Sequence, residues 1–317
     1  MLISVVIPVY NSEPTLQELI ERVTTAVETI TGEFEIVLID DCSHDGSWKR
    51  IAELGARNAR LRGYRLTKNF GQHAASLCGI SQTTGKWVVT IDDDLQQNPA
   101  DIPKLFAKAQ EGFDIVYGYY KETTHSQFRR VTSEIIRRMF ALAIPNLFPY
   151  CSSFRVVEGT VARSLSQFDS PYAFVDGFLS WLTQKYAVIP VEHTDRRLGT
   201  SNYNFRKLAA TAIHIFVTFS DLPLKLASAL GFFAFAGGMA LFFLVVLQKL
   251  IYGIAVSGYA SIMGGILVFG GLQLLILGIF GEYIGQINFR VARKPMYVIA
   301  SRSVDALVKH NDSAAQS

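Results

Sequence analysis

Two long stretches without a charged side chain, residues 226–248 and 258–281, constrain this 317-residue chain more than any other feature. Each is long enough to cross a hydrocarbon layer as a helix, which takes roughly 20 apolar residues. The connection between them is short, so the pair predicts a transmembrane hairpin whose two ends lie on one side of a membrane. A buried helical hairpin in a large soluble core is the alternative, but charge-free, glycine-rich runs of this length are rare there.

Basic residues on both outer sides of the hairpin predict its orientation. They are Arg206, Lys207, Lys225, Arg290, Arg293 and Lys294. By the positive-inside bias, the segments that carry them lie in the cytoplasm. The chain is therefore expected to be a multi-pass protein of the inner, cytoplasmic membrane, with its N-terminal domain and both termini cytoplasmic.

The sequence divides into four parts. We expect a cytoplasmic α/β domain over 1–204, an amphipathic juxtamembrane segment over 205–225, the hairpin within 226–285 and a cytoplasmic tail over 286–317. Residues 127–144 also combine apolar residues at helical spacing with four arginines, which is typical of a basic interfacial helix. A solvated helix packed on a sheet is nearly as good an interpretation of that segment.

Strand-like and helical patterns alternate over the first 120 residues. A β-branched run at 3–9 precedes Leu16, Leu19, Ile20, Val23 and Val27 at helical spacing, and a second apolar run follows at 34–39. The same alternation predicts a helix from about Ser47, a strand at 61–66, a helix from Gln72 and a strand at 86–91. Repeated βαβ units predict a Rossmann-like, mainly parallel sheet.

Polar residues stand where these predicted strands end. They are Asn11, Asp40, Asp41, Lys68, Asp92, Asp93 and Asp94. Open parallel sheets bind ligands beyond the carboxyl ends of their strands, so these residues predict a site. Asp40 and Asp41 could accept hydrogen bonds from a nucleobase or ribose, or could instead cap the following helix.

The acidic triplet predicts a metal site. Asp92, Asp94 and Gln96 alternate along an extended segment, so their side-chain oxygens lie on one side, and such hard ligands suit Mg²⁺ or Mn²⁺. Neighbouring carboxylates also repel one another when no cation is bound. A helix-capping cluster is the alternative, because a D-x-D triplet alone is a weak signal.

Four runs, at 5–11, 38–47, 69–75 and 90–99, resemble the motifs of the family 2 glycosyltransferases with the GT-A fold, in the same order. With the hairpin, the chain resembles the polyprenyl-phosphate glycosyltransferases. This group includes bactoprenol glucosyltransferases, dolichyl-phosphate mannose synthases and undecaprenyl-phosphate aminoarabinose transferases.

The resemblance implies a role for each matching residue. The nucleotide-sugar donor would contact Pro8, Tyr10, Asn11, Asp40, Asp41, Lys68, Asn69, Gly71, Gln72, Asp92 and Asp93. The metal would be held by Asp92, Asp94 and Gln96, and the acceptor phosphate by Arg155, Arg196, Ser201 and Tyr203. Asp94, Arg155 and Arg196 would form the catalytic set. The implied reaction is an inverting, metal-dependent transfer of a sugar to a polyprenyl phosphate, with undecaprenyl phosphate and a UDP-sugar as the expected substrates.

Three departures limit this transfer. Lys68 stands where relatives often have arginine, and Asn202 replaces a lysine. The segment before Phe154 lacks the aspartate that several relatives carry, so no catalytic base is assigned. A phosphate acceptor needs little deprotonation, because its second pKa is near 6.

Two other functions stay open at this point. A processive polysaccharide synthase would need more than two spans and a Gln-x-x-Arg-Trp signature, which is absent. A catalytically silent nucleotide-sugar-binding scaffold is the other alternative. A net charge of +3 does not indicate a nucleic-acid partner, whereas the paired glycines in the hairpin allow close contacts within the chain or in a homo-oligomer.

Overall fold

The computed structural model describes residues 1–120, 148, 151–168, 173–192, 222–252, 258–292 and 295–303. The chain forms two compact units, one of Met1–Phe205 with Arg293–Ser317 and the other of Arg206–Ala292. The predicted interfacial helix at 127–144, most of the juxtamembrane segment, Arg196, Ser201 and Tyr203 lie outside the described residues.

A sheet forms the centre of the first unit. Its strands are β1 (Ile3–Val9), β2 (Phe34–Asp40), β3 (Leu61–Leu66), β4 (Trp87–Thr90), β5 (Ile115–Tyr120), β6 (Arg155–Glu158), β7 (Tyr186–Val191) and β8 (Ile299–Arg302). Their order is β7-β5-β6-β4-β1-β2-β3-β8. Strands β4, β1, β2 and β3 are parallel neighbours, as are β5 and β7, whereas β6 and β8 run antiparallel to their neighbours. The predicted mainly parallel α/β sheet is confirmed.

Helices cover both faces of the sheet. They are α1 (Glu13–Glu28), α2 (Ser47–Arg57), α3 (Gln72–Ser81), α4 (Ile102–Ala109), α5 (Gly159–Ser164) and α6 (Val175–Leu182). The apolar positions predicted for α1 are buried in the main core together with alternate residues of β1 and β2. Helix α3 packs on the other face, so closely that a Cβ added at Gly79 would lie 2.3 Å from Val6 Cγ1.

The topology creates a crevice between β1 and β4. The chain proceeds from β1 outward through β2 to β3, and then returns to the other side of β1 to form β4. The connections after β1 and β4 therefore leave the sheet in different directions. Such a switch point is where open α/β sheets bind ligands.

The C-terminal strand β8 completes the sheet of the first unit. It pairs with β3, with Tyr64 opposite Arg302, and the Gly63 N–H donates to Ser303 Oγ at 3.0 Å. Tyr297 adds a hydrogen bond from its hydroxyl to Ser81 Oγ at 2.9 Å. The sequence predicts only a tail here, so β8 is an addition that the sequence analysis missed.

The second unit contains two long helices, α7 (Leu222–Tyr252) and α8 (Tyr259–Val291). A Cβ added at Gly231 would lie 3.7 Å from Ile276 Cδ1, and one at Gly238 would lie 3.8 Å from Phe269 Cζ. Because the numbers rise along one helix as they fall along the other, the two helices are antiparallel. Within the described part of the chain, no helix has both the length and the apolarity that crossing a membrane requires.

Candidate active site

A cleft of about 270 Å³ opens at the carboxyl ends of β1 and β4. Its lining residues are Pro8, Val9, Tyr10, Asp41, Asn69, Gly71, Gln72, Ala75, Asp92, Asp93 and Asp94. Most of the donor-site residues predicted from the sequence are therefore brought together, although they come from four separate segments of the chain. Asn11, Asp40, Lys68, Gln96 and Arg155 are not among the residues that line the cleft.

Sharp backbone turns shape the rim of this cleft. Asn11, Cys42 and Leu95, which follow β1, β2 and β4, have φ values of 54°, 58° and 60°. This left-handed conformation is uncommon for residues with a side chain and is found most often at functional sites. Gly71, with φ of 91°, also has a positive φ, in a more extended conformation, just before α3. The chain thus turns away from each strand end and leaves the edge of the sheet open.

Asn11 ties the loop after β1 to the loop after β2. Its N–H donates to Ser43 Oγ at 3.0 Å, and its Oδ1 accepts from the His44 N–H at 2.8 Å. The Ser12 N–H donates to Ser47 Oγ at 2.9 Å beside it. The structure therefore gives Asn11 a bracing position next to the cleft.

Asp40 and Asp41 have different surroundings. Asp40 is fully buried, with Arg65 Nε 3.1 Å from its Oδ2. Asp41 accepts from the Phe70 N–H at 2.7 Å and from the Gly71 N–H at 2.8 Å, which fixes the loop between β3 and α3. Burial raises the pKa of both carboxyls. Of the two, only Asp41 reaches the cleft.

Lys68 and Gln96 do not line the cleft, and the roles that the resemblance implies for them stay predictions. The Lys68 ammonium lies 4.9 Å from the centre of the Phe70 ring, and its side chain is exposed. Gln96 contacts the acidic triplet through its backbone, since its N–H donates to Asp94 Oδ1 at 3.1 Å.

The first two aspartates of the triplet are engaged by protein donors. Asp93 Oδ2 accepts from the Tyr10 N–H at 2.9 Å, and burial raises the pKa of its carboxyl to about 6. Asp92 Oδ1 accepts from Gln72 Nε2 at 2.5 Å. Asp92 Oδ2 accepts from Gln97 Nε2 at 2.9 Å and from Ser153 Oγ at 2.6 Å. Burial also raises the pKa of Asp92.

Gln97 and Ser153 were missed by the sequence analysis. Gln97 lies inside the motif at 90–99, but the sequence gives no sign of which of the two neighbouring glutamines, Gln96 or Gln97, turns inward. Ser153 reaches Asp92 across 61 positions of sequence, and no local pattern marks such a contact.

Arg155 lies in the protein interior and not on the cleft wall. Its guanidinium forms an ion pair with Asp176, and its Nε donates to Thr90 Oγ1 at 3.1 Å. The Tyr117 hydroxyl donates to Asp176 Oδ1 at 3.0 Å. The Nε and Nη1 donors of Arg155 are directed to these internal partners, which gives Arg155 a structural contact, and the acceptor-phosphate role that the resemblance implies for it stays a prediction.

The charge of the cleft bears on whether a metal ion fits. Four carboxylates line it, and none of its described lining residues is a lysine or arginine. In the described part of the chain, no group of three or more His, Cys, Asp or Glu side chains is arranged to hold a metal ion. Mg²⁺, however, is commonly held by one or two carboxylates together with water and substrate phosphates. Asp94 and Asp92 can supply such a pair.

The fold and the cleft define an α/β protein with an acidic cleft at the strand switch point. Residues 4–157 match the family described as Glycosyl transferase family 2. This stretch contains β1 to β4 and the cleft that they form. Over these residues the chain therefore carries a family 2 glycosyltransferase domain with the GT-A fold, and it is a glycosyltransferase.

Solved structures of glucosyl-3-phosphoglycerate synthase from Mycobacterium tuberculosis are similar in fold. The complex with Mn²⁺, uridine diphosphate and glucosyl-3-phosphoglycerate is 22% identical, covers 68% of this chain and 77% of that chain, and gives a TM-score of 0.50. The complex with Mn²⁺, UDP-glucose and phosphoglyceric acid is 21% identical, covers 68% of this chain and 78% of that chain, and gives a TM-score of 0.49. The complex with Mg²⁺ and uridine diphosphate is 21% identical, covers 68% of this chain and 77% of that chain, and gives a TM-score of 0.49.

Proposed function

We propose that this glycosyltransferase moves a sugar from a nucleotide-sugar donor to the phosphate of a polyprenyl phosphate at the cytoplasmic face of a membrane. One observation bears on the sidedness of the membrane part. Segments on both sides of α7 and α8 belong to the same compact unit, so a membrane-inserted pair would have to enter and leave on one side. This agrees with the hairpin predicted from the sequence.

The outer surfaces of α7 and α8 favour a lipid environment. Phe232, Phe233, Leu250, Leu274 and Val291 are each more than half exposed, and Leu250 reaches 78%. Apolar surface costs about 25 cal/mol per Å² in water, and exposed apolar patches mark contact with partners or membranes. Phe232, Phe233 and Leu274 lie within the charge-free runs 226–248 and 258–281. Insertion into a bilayer would remove that apolar surface from water.

The cleft supports a nucleoside diphosphate donor with a divalent cation. A diphosphate is an anion, and a cleft lined by four carboxylates repels it unless a cation lies between them. The M. tuberculosis synthase is described with uridine diphosphate and either Mn²⁺ or Mg²⁺. We extend this combination to the present chain, with Asp94 and Asp92 as the protein ligands. When bound, the cation would neutralise charge on the departing diphosphate.

The chemistry needs little from a protein base. An oxygen of the acceptor phosphate attacks the anomeric carbon, the bond from that carbon to the donor diphosphate breaks, and the diphosphate leaves with the electron pair. The configuration at carbon inverts. Because the acceptor phosphate is largely deprotonated near pH 7, no proton has to be removed from it. The protein's contribution is orientation, for which Arg155, Arg196, Ser201 and Tyr203 remain the predicted residues.

An acceptor panel tests this proposal. Purified protein in detergent is incubated with Mn²⁺ or Mg²⁺ and UDP-, GDP- or dTDP-sugars, and with undecaprenyl phosphate, 3-phosphoglycerate or no acceptor. We expect a sugar-linked lipid product with undecaprenyl phosphate alone. Transfer to 3-phosphoglycerate but not to the lipid would overturn the acceptor assignment, and absence of any transfer with retained UDP binding would favour the scaffold alternative.

Membrane insertion has its own test. Carbonate washing at high pH removes peripheral proteins but leaves inserted ones, so we expect the chain to remain in the pellet. Fusions that fluoresce only in the cytoplasm should be active at both termini. Release by the wash, or a C-terminal fusion that does not fluoresce while the N-terminal fusion does, would contradict the hairpin.

A further inference from the structure

We infer that Gln97 and Ser153 are positioning residues that fix the carboxylate of Asp92 for cation binding. The inference rests on the proposed function, since it assumes that Asp92 meets a divalent cation. Neither residue lines the cleft, so both would act through Asp92 and not by touching the substrate. Three separate observations support this role.

The first observation is the two-point contact between Gln97 and Asp92. Gln97 Oε1 accepts from the Asp92 N–H at 2.9 Å, while its Nε2 donates to Asp92 Oδ2 at 2.9 Å. A backbone N–H can only donate, so the amide oxygen must face it and the amide NH₂ must face the carboxylate. Gln97 is only 4% exposed. Its orientation is therefore chemically determined, and it holds both the backbone and the side chain of Asp92.

The second observation is that both Gln97 and Ser153 act on the same oxygen. Ser153 Oγ donates to Asp92 Oδ2 at 2.6 Å, and Gln97 Nε2, besides its bond to Oδ2, also donates to Ser153 Oγ at 2.7 Å. Oδ2 is thus directed into the protein. Oδ1 lies on the side of Gln72, which does line the cleft. Locking one oxygen inward presents the other to a ligand in the cleft.

The third observation is that Ser153 is itself held from the interior. Its backbone oxygen accepts a short hydrogen bond from Thr90 Oγ1, and Thr90 Oγ1 accepts from Arg155 Nε at 3.1 Å. Arg155 is in turn paired with Asp176. A series of buried contacts therefore links the interior ion pair to the cleft carboxylate. Partners behind a metal ligand commonly contribute 10- to 100-fold to metal affinity or activity.

The test measures cation binding directly. Mn²⁺ titrations followed by electron paramagnetic resonance, with saturating UDP, give the Mn²⁺ dissociation constant of the full chain in detergent. Gln97→Ala and Ser153→Ala should each raise that constant about tenfold or more. Gln110→Ala and Ser166→Ala make the same chemical changes at exposed sites that are not in the cleft lining, and they should leave it unchanged.

A background substitution separates positioning from general damage. Effects through a shared partner are not additive. In an Asp92→Asn background, neither Gln97→Ala nor Ser153→Ala should therefore weaken Mn²⁺ binding further. Unchanged binding in both single variants, or full additivity in that background, would overturn the inference while leaving the proposed function intact. A wild-type chain that binds no Mn²⁺ with UDP would overturn the proposed function, and this inference with it.

Discussion

Arg155 and Asp176 form an ion pair in the interior of the first unit, where their side chains are 2% and 6% exposed. Thr90 and Tyr117 complete the contacts of this pair. Two charges buried together depend on each other, because removing one leaves the other desolvated without compensation. The pair anchors the start of β6 to α6 and supports the segment that carries Ser153.

The first prediction concerns this pair. Arg155→Ala should destabilise the protein by about 3–5 kcal/mol, the usual result of breaking a buried pair, and the melting temperature should fall by several degrees. Arg22→Ala is the matched control, since Arg22 pairs with Glu18 on the surface and exposed pairs contribute about 1 kcal/mol or less. An unchanged melting temperature together with a raised KM for the lipid acceptor would instead support the acceptor role that the sequence predicts.

The second prediction concerns Asp94. Asp94→Asn keeps the size of the side chain but removes its charge, so transfer should fall by about 100-fold or more, as when a main electrostatic contact of the transition state is lost. The melting temperature and the membrane-bound fraction should match those of the wild type. Glu111→Gln makes the same chemical change on the surface and should retain activity. Wild-type rates for Asp94→Asn with saturating Mn²⁺ would refute the metal assignment.

The third prediction uses pH. Burial raises the pKa of Asp93 to about 6 in the folded protein, from an ordinary value near 3.9. The folded state therefore binds more protons than the unfolded state between those values, and stability falls as the pH rises from about 4 to 6. Asp93→Asn cannot ionise. With EDTA present to remove divalent cations, the Asp93→Asn variant should have a higher melting temperature than the wild type at pH 7.5. This difference in melting temperature should shrink towards pH 4.

Asp45 provides a control of opposite sign. Burial alone would raise its pKa, but hydrogen bonds from Ser47 and from the Glu13 N–H outweigh burial and lower it. Its ionised form therefore stabilises the fold above the unfolded pKa, and that contribution is lost as the pH falls. Asp45→Asn should melt below the wild type at pH 7.5. If both variants melt below the wild type at pH 7.5, the sign derived for Asp93 is wrong.

The sequence predicts the parts of the fold that local periodicity determines. Strands β1 to β4, the start of α3 and the buried face of α1 follow from apolar spacing, and the loops at their ends hold most of the predicted cleft residues. The failures concern contacts between distant segments. Asp176 lies 21 positions from Arg155, and Ser303 lies 240 positions from Gly63. No local pattern shows that an arginine will be paired inside the protein, or that a tail will join a sheet.

The fourth prediction concerns the tail. Deleting residues 295–317 removes β8, leaves the Gly63 N–H without Ser303 and exposes the edge of β3. The Thr67 N–H also loses the Val298 carbonyl, just before the loop that carries Asn69 and Gly71. We expect a lower melting temperature, weaker UDP binding and aggregation through the open edge, with the protein still in the membrane fraction. Deleting only 304–317 retains β8 and Ser303 and should change none of these measurements. Equal behaviour of the two truncations would show that β8 does not support the donor site.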